Sequence, residues 1–115
     1  MKPTTATEQF NDMLKNKPAF LVYFSHDGCS VCHAIKPKLL NIIDKQFPLL
    51  RVVDVDVKKE PQLPAQLSVF AVPTIICFVQ GHESFRVSRH FTMDEICSKI
   101  DRFYIPLFGA DETSH

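Results

Sequence analysis

Residues 19–38 read AFLVYFSHDGCSVCHAIKPK, and the interpretation of this stretch decides the fold. Its first six residues, Ala19 to Phe24, are rich in aromatic and branched side chains and predict a β-strand. The SHDG turn that follows delivers Cys29 to the start of a helical pattern. Cys32, Ile35, Leu39, Ile42, Ile43 and Phe47 recur at the spacing of one helix face. Pro37 lies inside that pattern and predicts a kink, because its ring and missing N–H disrupt one turn. A strand, a tight turn and a long helix thus place one cysteine at the junction and a second one turn further on.

Working outward, Thr5 and Glu8 form a capping-box pair ahead of Phe10, Met13 and Leu14, which predicts a short first helix. LLRVVDVDV (49–57) predicts a second strand, and EPQLPAQLS (60–68) a short helical connection. TIICFV (74–79) and SFRVS (84–88) predict two strands joined through QGHE, with Gly81 at the permissive turn position. Thr92 and Glu95 repeat the capping signature before a last helix lined by Ile96, Ile100, Phe103, Tyr104 and Leu107. The order α-β-α-β-α-β-β-α predicts an α/β fold, a mixed central sheet of about four strands with helices on both faces. One domain over 1–115 is expected, its last seven residues, GADETSH, forming a disordered tail. The second strand should then be buried on both faces, which makes RVVDVDV odd, since two acids share one of its faces.

The composition excludes several classes. With 13 basic and 13 acidic residues the formal net charge is zero, and no basic stripe suited to nucleic acid stands out. The longest uncharged apolar run, FAVPTIICFV, contains a proline and is far too short to span a membrane. The N-terminal stretch lacks the apolar segment of a secretory signal, so an intracellular, cytoplasmic location is expected. In such a chain four cysteines point to metal, catalytic or buried roles before a structural disulfide framework.

The C-S-V-C-H string admits three readings. As a haem attachment site it would use both cysteines, with His33 as axial ligand. As a zinc site it would use Cys29, Cys32 and His33 with His26 as fourth ligand, but adjacent helical residues point about 100° apart. As a thiol–disulfide pair it needs neither group. At the helix start, unpaired N–H groups and the dipole favour an anion, so Cys29 is expected to be the reactive thiolate. Cys32, on the same side and facing the core, can reach back to close a disulfide. Cys77 reads as a small core residue and Cys97 lies near the apolar face of the last helix.

AFLVYFSHDGCSVC, Pro37 and FAVPT together resemble the thioredoxin family over roughly residues 6–107. The resemblance implies a redox-active Cys29–Cys32 pair, a cis peptide at Pro73, and substrate contacts from Gly28, Val72 and Pro73. It implies no bound cofactor or metal. The implied partners are a disulfide-bearing protein or small-thiol substrate and a reductase or small thiol as electron donor, without nucleic acid or membrane. A redox-inactive binding module of the same fold is the alternative.

The departures from the family are specific. Gly28-Cys29-Ser30-Val31-Cys32 stands where thioredoxins usually have Trp-Cys-Gly-Pro-Cys, and the family's first strand has no counterpart. The family's buried carboxylate is Tyr23 here, and the lysine beside it is Asp54. One reading has Asp54 supply the missing acid from the neighbouring strand, hydrogen-bonded to Tyr23 and desolvated near Cys32, as a proton relay; the alternative is that Asp54 and Asp56 lie at a strand end and are solvated.

Overall fold

The expected strand at Ala19–Phe24 is β1 (Ala19–Ser25), the axis of the fold. The computed structural model describes residues 5–109; the polar tail beyond Gly109 lies outside them. In chain order come α1 (Ala6–Asn16), β1, α2 (Ser30–Gln46), β2 (Arg51–Asp56) and α3 (Gln62–Gln66). β3 (Thr74–Val79), β4 (His82–Ser88) and α4 (Met93–Phe108) complete the domain. The strands form one sheet in the order β2-β1-β3-β4. β1 runs parallel to β2 and antiparallel to β3, and β3 runs antiparallel to β4.

Alternation along β1 splits its side chains between two cores, because successive residues point to opposite faces. Ala19, Leu21 and Tyr23 pack with Leu39 and Ile43 of α2, with Phe47 at its C-cap, and with Ile96, Ile100 and Tyr104 of α4. Phe20, Val22 and Phe24 pack against Ala6 and Phe10 of α1 and Leu63 of α3. Burial on both faces explains the unbroken apolar run in the sequence. On the second face Phe10, Phe20 and Phe78 form a ring cluster with centroids 5.0 to 5.9 Å apart.

The capping box at Thr5 and Glu8 forms as expected, with both reciprocal bonds present. The Ala6 N–H is taken by the Glu60 carboxylate at 2.6 Å, which ties α1 to the segment after β2. Thr92 caps α4 by accepting from the Glu95 N–H at 3.1 Å. The β3–β4 turn is shorter than expected. Gln80 and Gly81 alone form it, with φ of 50° and 82°, so β4 starts at His82. Two residues of positive φ match the right-handed twist of the flanking strands. α2 continues through Pro37.

One expectation is corrected. The second strand was expected inside the sheet, but β2 is an edge strand. Val53 and Val55 are buried on the α1 face, while Arg51 and Asp54 are exposed. Among the described residues no strand pairs with the outer side of β2. The two acids of RVVDVDV are therefore compatible with water rather than forced into a core.

Candidate active site

The C-terminal end of β1 and the first turn of α2 build the site. His26 opens the turn: its carbonyl accepts from the Cys29 N–H at 3.0 Å and its Nδ1 from the Gly28 N–H at 3.0 Å. A side chain at Gly28 would meet the His26 ring at 3.3 Å, so the glycine leaves room for that imidazole. Cys29 is the N-cap of α2, and its Sγ accepts the Cys32 N–H at 3.2 Å. That contact places the sulfur against an otherwise unpaired helix donor, the environment that stabilises a thiolate.

Cys29 and Cys32 are joined by a disulfide, the oxidised form of the pair, with Cα atoms 5.2 Å apart. Their exposure differs: Cys29 is half-buried and Cys32 is 2% exposed. A substrate can thus reach the first sulfur, while the second is approached from Cys29. The two remaining cysteines are free. Burial pushes the Cys77 thiol up to about 12, and burial followed by Asp101 and Asp94 raises that of Cys97. Neither is primed as a nucleophile.

Tyr23 is buried on the α2 face beneath Cys32, and its hydroxyl donates to the Cys32 carbonyl at 2.6 Å. Burial, followed by the Asp54 charge, pushes the phenol up to about 12, so it remains a neutral donor. The expected Tyr23–Asp54 hydrogen bond does not form. Asp54 is Tyr23's partner in the β1–β2 register, but its carboxylate pairs with Lys36 of α2. Both members of that pair are 43% exposed, so the expected desolvation of Asp54 is also corrected. The open edge of β2 admits water and Lys36 supplies a counter-charge. Asp54, Lys36 and Cys32 nevertheless line one polar cavity of about 290 Å³, together with His26 and His33.

His33 hydrogen-bonds through Nε2 to the Asp27 carbonyl at 2.8 Å. Among the described residues no three His, Cys, Asp or Glu side chains gather as a metal-ligating group. The Val72–Pro73 peptide is cis, as the family resemblance implied. The segment is held on both sides of the proline: the Thr74 hydroxyl donates to the Ala71 carbonyl at 2.6 Å, and the Arg89 N–H to the Pro73 carbonyl at 2.8 Å. Val72 and His26 stand in the wall of an apolar groove of about 410 Å³. Val57, Pro61, Val69 and Phe70 form much of the rest.

Three residues of this region were not singled out by the sequence. Lys36 had a signal, since it lies one helical turn beyond Cys32. Phe70 and Arg86 had none, because their positions depend on how the β3–β4 hairpin folds back.

An α/β sheet with a cysteine pair bridging the strand–helix junction, one sulfur accessible and one buried, defines a dithiol–disulfide redox centre. The chain belongs to the thioredoxin family, whose sequence profile matches residues 2–102. It is 30% identical over 93 residues to the thioredoxin-like protein YdfQ of Bacillus subtilis, covering 81% of this chain and 82% of that one. It is 31% identical over 78 residues to the bifunctional thioredoxin reductase/thioredoxin of Mycobacterium leprae. That match covers 68% of this chain but 17% of the much longer relative. Among solved structures, Fasciola hepatica thioredoxin superposes with a TM-score of 0.75 at 27% identity, covering 85% of this chain and 93% of that one. Among the described residues no helix is long and apolar enough to cross a membrane.

Proposed function

We propose that this chain is a thiol–disulfide oxidoreductase that reduces disulfides in proteins or low-molecular-weight thiols. The observation that carries the reading is the position of Cys29: it is accessible, it caps α2, and it is bonded to a buried Cys32. In the reduced form the Cys29 thiolate attacks one sulfur of a substrate disulfide. A mixed disulfide forms and the other substrate sulfur leaves as a thiolate, which takes up a proton. Cys32 then loses its proton and attacks Cys29 Sγ. The second substrate sulfur leaves and the Cys29–Cys32 disulfide remains, so two electrons have passed to the substrate.

Gly28, Val72 and Pro73 are assigned to substrate binding, supported by Val72 in the groove wall and by Gly28 in the turn before Cys29. Asp54 is assigned as acceptor of the Cys32 proton through the polar cavity that both line, with Lys36 as its counter-charge. Tyr23 orients the Cys32 segment through its carbonyl. Two electrons must return from a reductase or a small thiol. The fusion of reductase and thioredoxin in the Mycobacterium leprae relative's name supports the former. Reduction runs forward where thiols are kept reduced, so we place the protein in the cytoplasm.

The test is a trapping experiment. Cys32→Ser incubated with a disulfide-bearing protein should accumulate a mixed disulfide at Cys29, visible by mass spectrometry. Cys29→Ser should accumulate none. Equal trapping by both variants would refute the assigned order of attack. No turnover and no trapping would instead favour the redox-inactive binding module.

A further inference from the structure

The segment from Leu67 to Val72 joins α3 to the cis-proline, and its shape is fixed from a distance by β4. Ser68 adopts φ of 58°, a left-handed conformation unfavourable for a residue with a Cβ. On one side the segment's N–H groups are taken by α3: Ser68 donates to the Ala65 carbonyl at 3.2 Å and Val69 to the Pro64 carbonyl at 2.8 Å. On the other side its carbonyls face Arg86. The guanidinium Nη2 donates to the Leu67 carbonyl at 3.0 Å and Nη1 to the Ser68 carbonyl at 3.4 Å. Arg86 is itself locked by a bidentate pair with Glu83, at 2.7 Å through both Nε and Nη2. A planar fork braced in this way is preorganised and loses little freedom on making further bonds.

The segment held between Arg86 and Thr74 presents Phe70, which is 88% exposed. Phe70 stands at the apolar groove that also includes Val72 and His26, three residues before Cys29. An aromatic ring this exposed, on a groove whose wall includes His26 of the turn that carries Cys29 and Val72 before the cis-proline, suits burial against a partner. The occupant fitting that placement is the apolar flank of the polypeptide carrying the substrate disulfide.

We propose that Arg86 is a positioning residue for target recognition. Through the Leu67 and Ser68 carbonyls it holds the segment that offers Phe70 to a protein disulfide. The inference rests on the oxidoreductase reading above. It predicts that Arg86 governs binding of protein substrates and leaves exchange at the sulfurs untouched.

The experiment compares two substrates of one enzyme: insulin as the protein disulfide, with dithiothreitol as reductant and the uncatalysed rate subtracted, and 5,5′-dithiobis(2-nitrobenzoate) as a small one, mixed in stopped flow with protein already reduced and freed of dithiothreitol. Arg86→Gln should raise KM for insulin severalfold with kcat preserved, because the binding segment is displaced and the sulfurs are not. The rate with the small disulfide and the potential of the Cys29–Cys32 pair should not move. Arg86→Lys keeps the charge but loses the fork and should show the same selective rise. Phe70→Ser should raise KM for insulin, and combining it with Arg86→Gln should add little, because one acts through the other. An unchanged KM for insulin in both Arg86 variants would overturn the proposal. So would a parallel loss on both substrates or a shifted potential, which would make Arg86 a general structural residue. If the unmodified protein reduces neither substrate, the oxidoreductase reading itself has failed.

Discussion

The Tyr23 hydroxyl and the Cys32 carbonyl lie 2.6 Å apart, so the middle of β1 is tied to the first turn of α2 from inside the core. The bond reaches the backbone of the buried cysteine, where its position affects attack on Cys29. Tyr23→Phe keeps the ring and removes only the donor. It should destabilise the fold by about 0.5–1.5 kcal/mol and lengthen the lifetime of the mixed disulfide. Urea denaturation measures the first effect, and rapid quenching with mass spectrometry the second. An unchanged lifetime would confine Tyr23 to a structural role.

Alkaline pH should weaken the fold through two buried groups. Burial raises Cys77 from 9.0 to about 12, and burial with Asp54 raises Tyr23 from 10.0 to about 12. Both are neutral acids whose folded pKa exceeds the unfolded one, so the unfolded chain loses its protons first. Their contributions are complete below pH 9 and are lost as pH rises from 9 toward 12. Urea midpoints between pH 8 and 11 should therefore fall with pH. Cys77→Ala and Tyr23→Phe should each flatten that decline, whatever their effect at pH 8. A flat profile in the unmodified protein would contradict the assignment.

Asp54→Asn addresses the proton path. If Asp54 receives the Cys32 proton through the shared cavity, the substitution should displace the pH dependence of mixed-disulfide resolution and leave that of the initial attack by Cys29 in place. Stopped-flow measurement of the two phases between pH 5 and 9 separates them. Superimposable resolution profiles would remove Asp54 from the mechanism.

The legible and illegible parts of this protein divide along physical lines. β1, α2 and the capped helix α1 carry their own local signals: a doubly buried apolar run, a 3.6-residue period, and Thr5 with Glu8. The strand–helix junction itself puts Cys32 within reach of Cys29, whereas the cis bond before Pro73 is implied by family resemblance alone. The edge position of β2 is not encoded locally, because strand order is set by pairing and not by local pattern; its acids are the one clue. The partners of Asp54 and Tyr23 are likewise not encoded locally. Adjacency in the sheet register was foreseen, but Lys36 approaches from another element. Arg86 was invisible for the same reason: its acceptors lie 18 and 19 residues away, on a segment before β3 whose approach to β4 the hairpin signal alone does not fix.

The Phe10, Phe20 and Phe78 cluster makes the α1 face a sensitive point. Phe10 contacts both other rings edge-on and is 2% exposed. Phe10→Ala should cost about 3–5 kcal/mol, from lost transfer energy and the cavity left behind. Because Phe10 is remote from the disulfide, the potential of the pair should be unchanged. Thermal unfolding and thiol titration check the two halves of this expectation.

The central claim is that Cys29 and Cys32 form a working redox couple. Its most direct test is equilibration of the protein with glutathione buffers of graded potential, followed by quantification of reduced and oxidised Cys29–Cys32 peptides. The account predicts one reversible two-electron transition, independent of direction of approach, with Cys77 and Cys97 reduced throughout. A pair that stays oxidised or reduced across the series, or a transition that persists in Cys29→Ser, would contradict it.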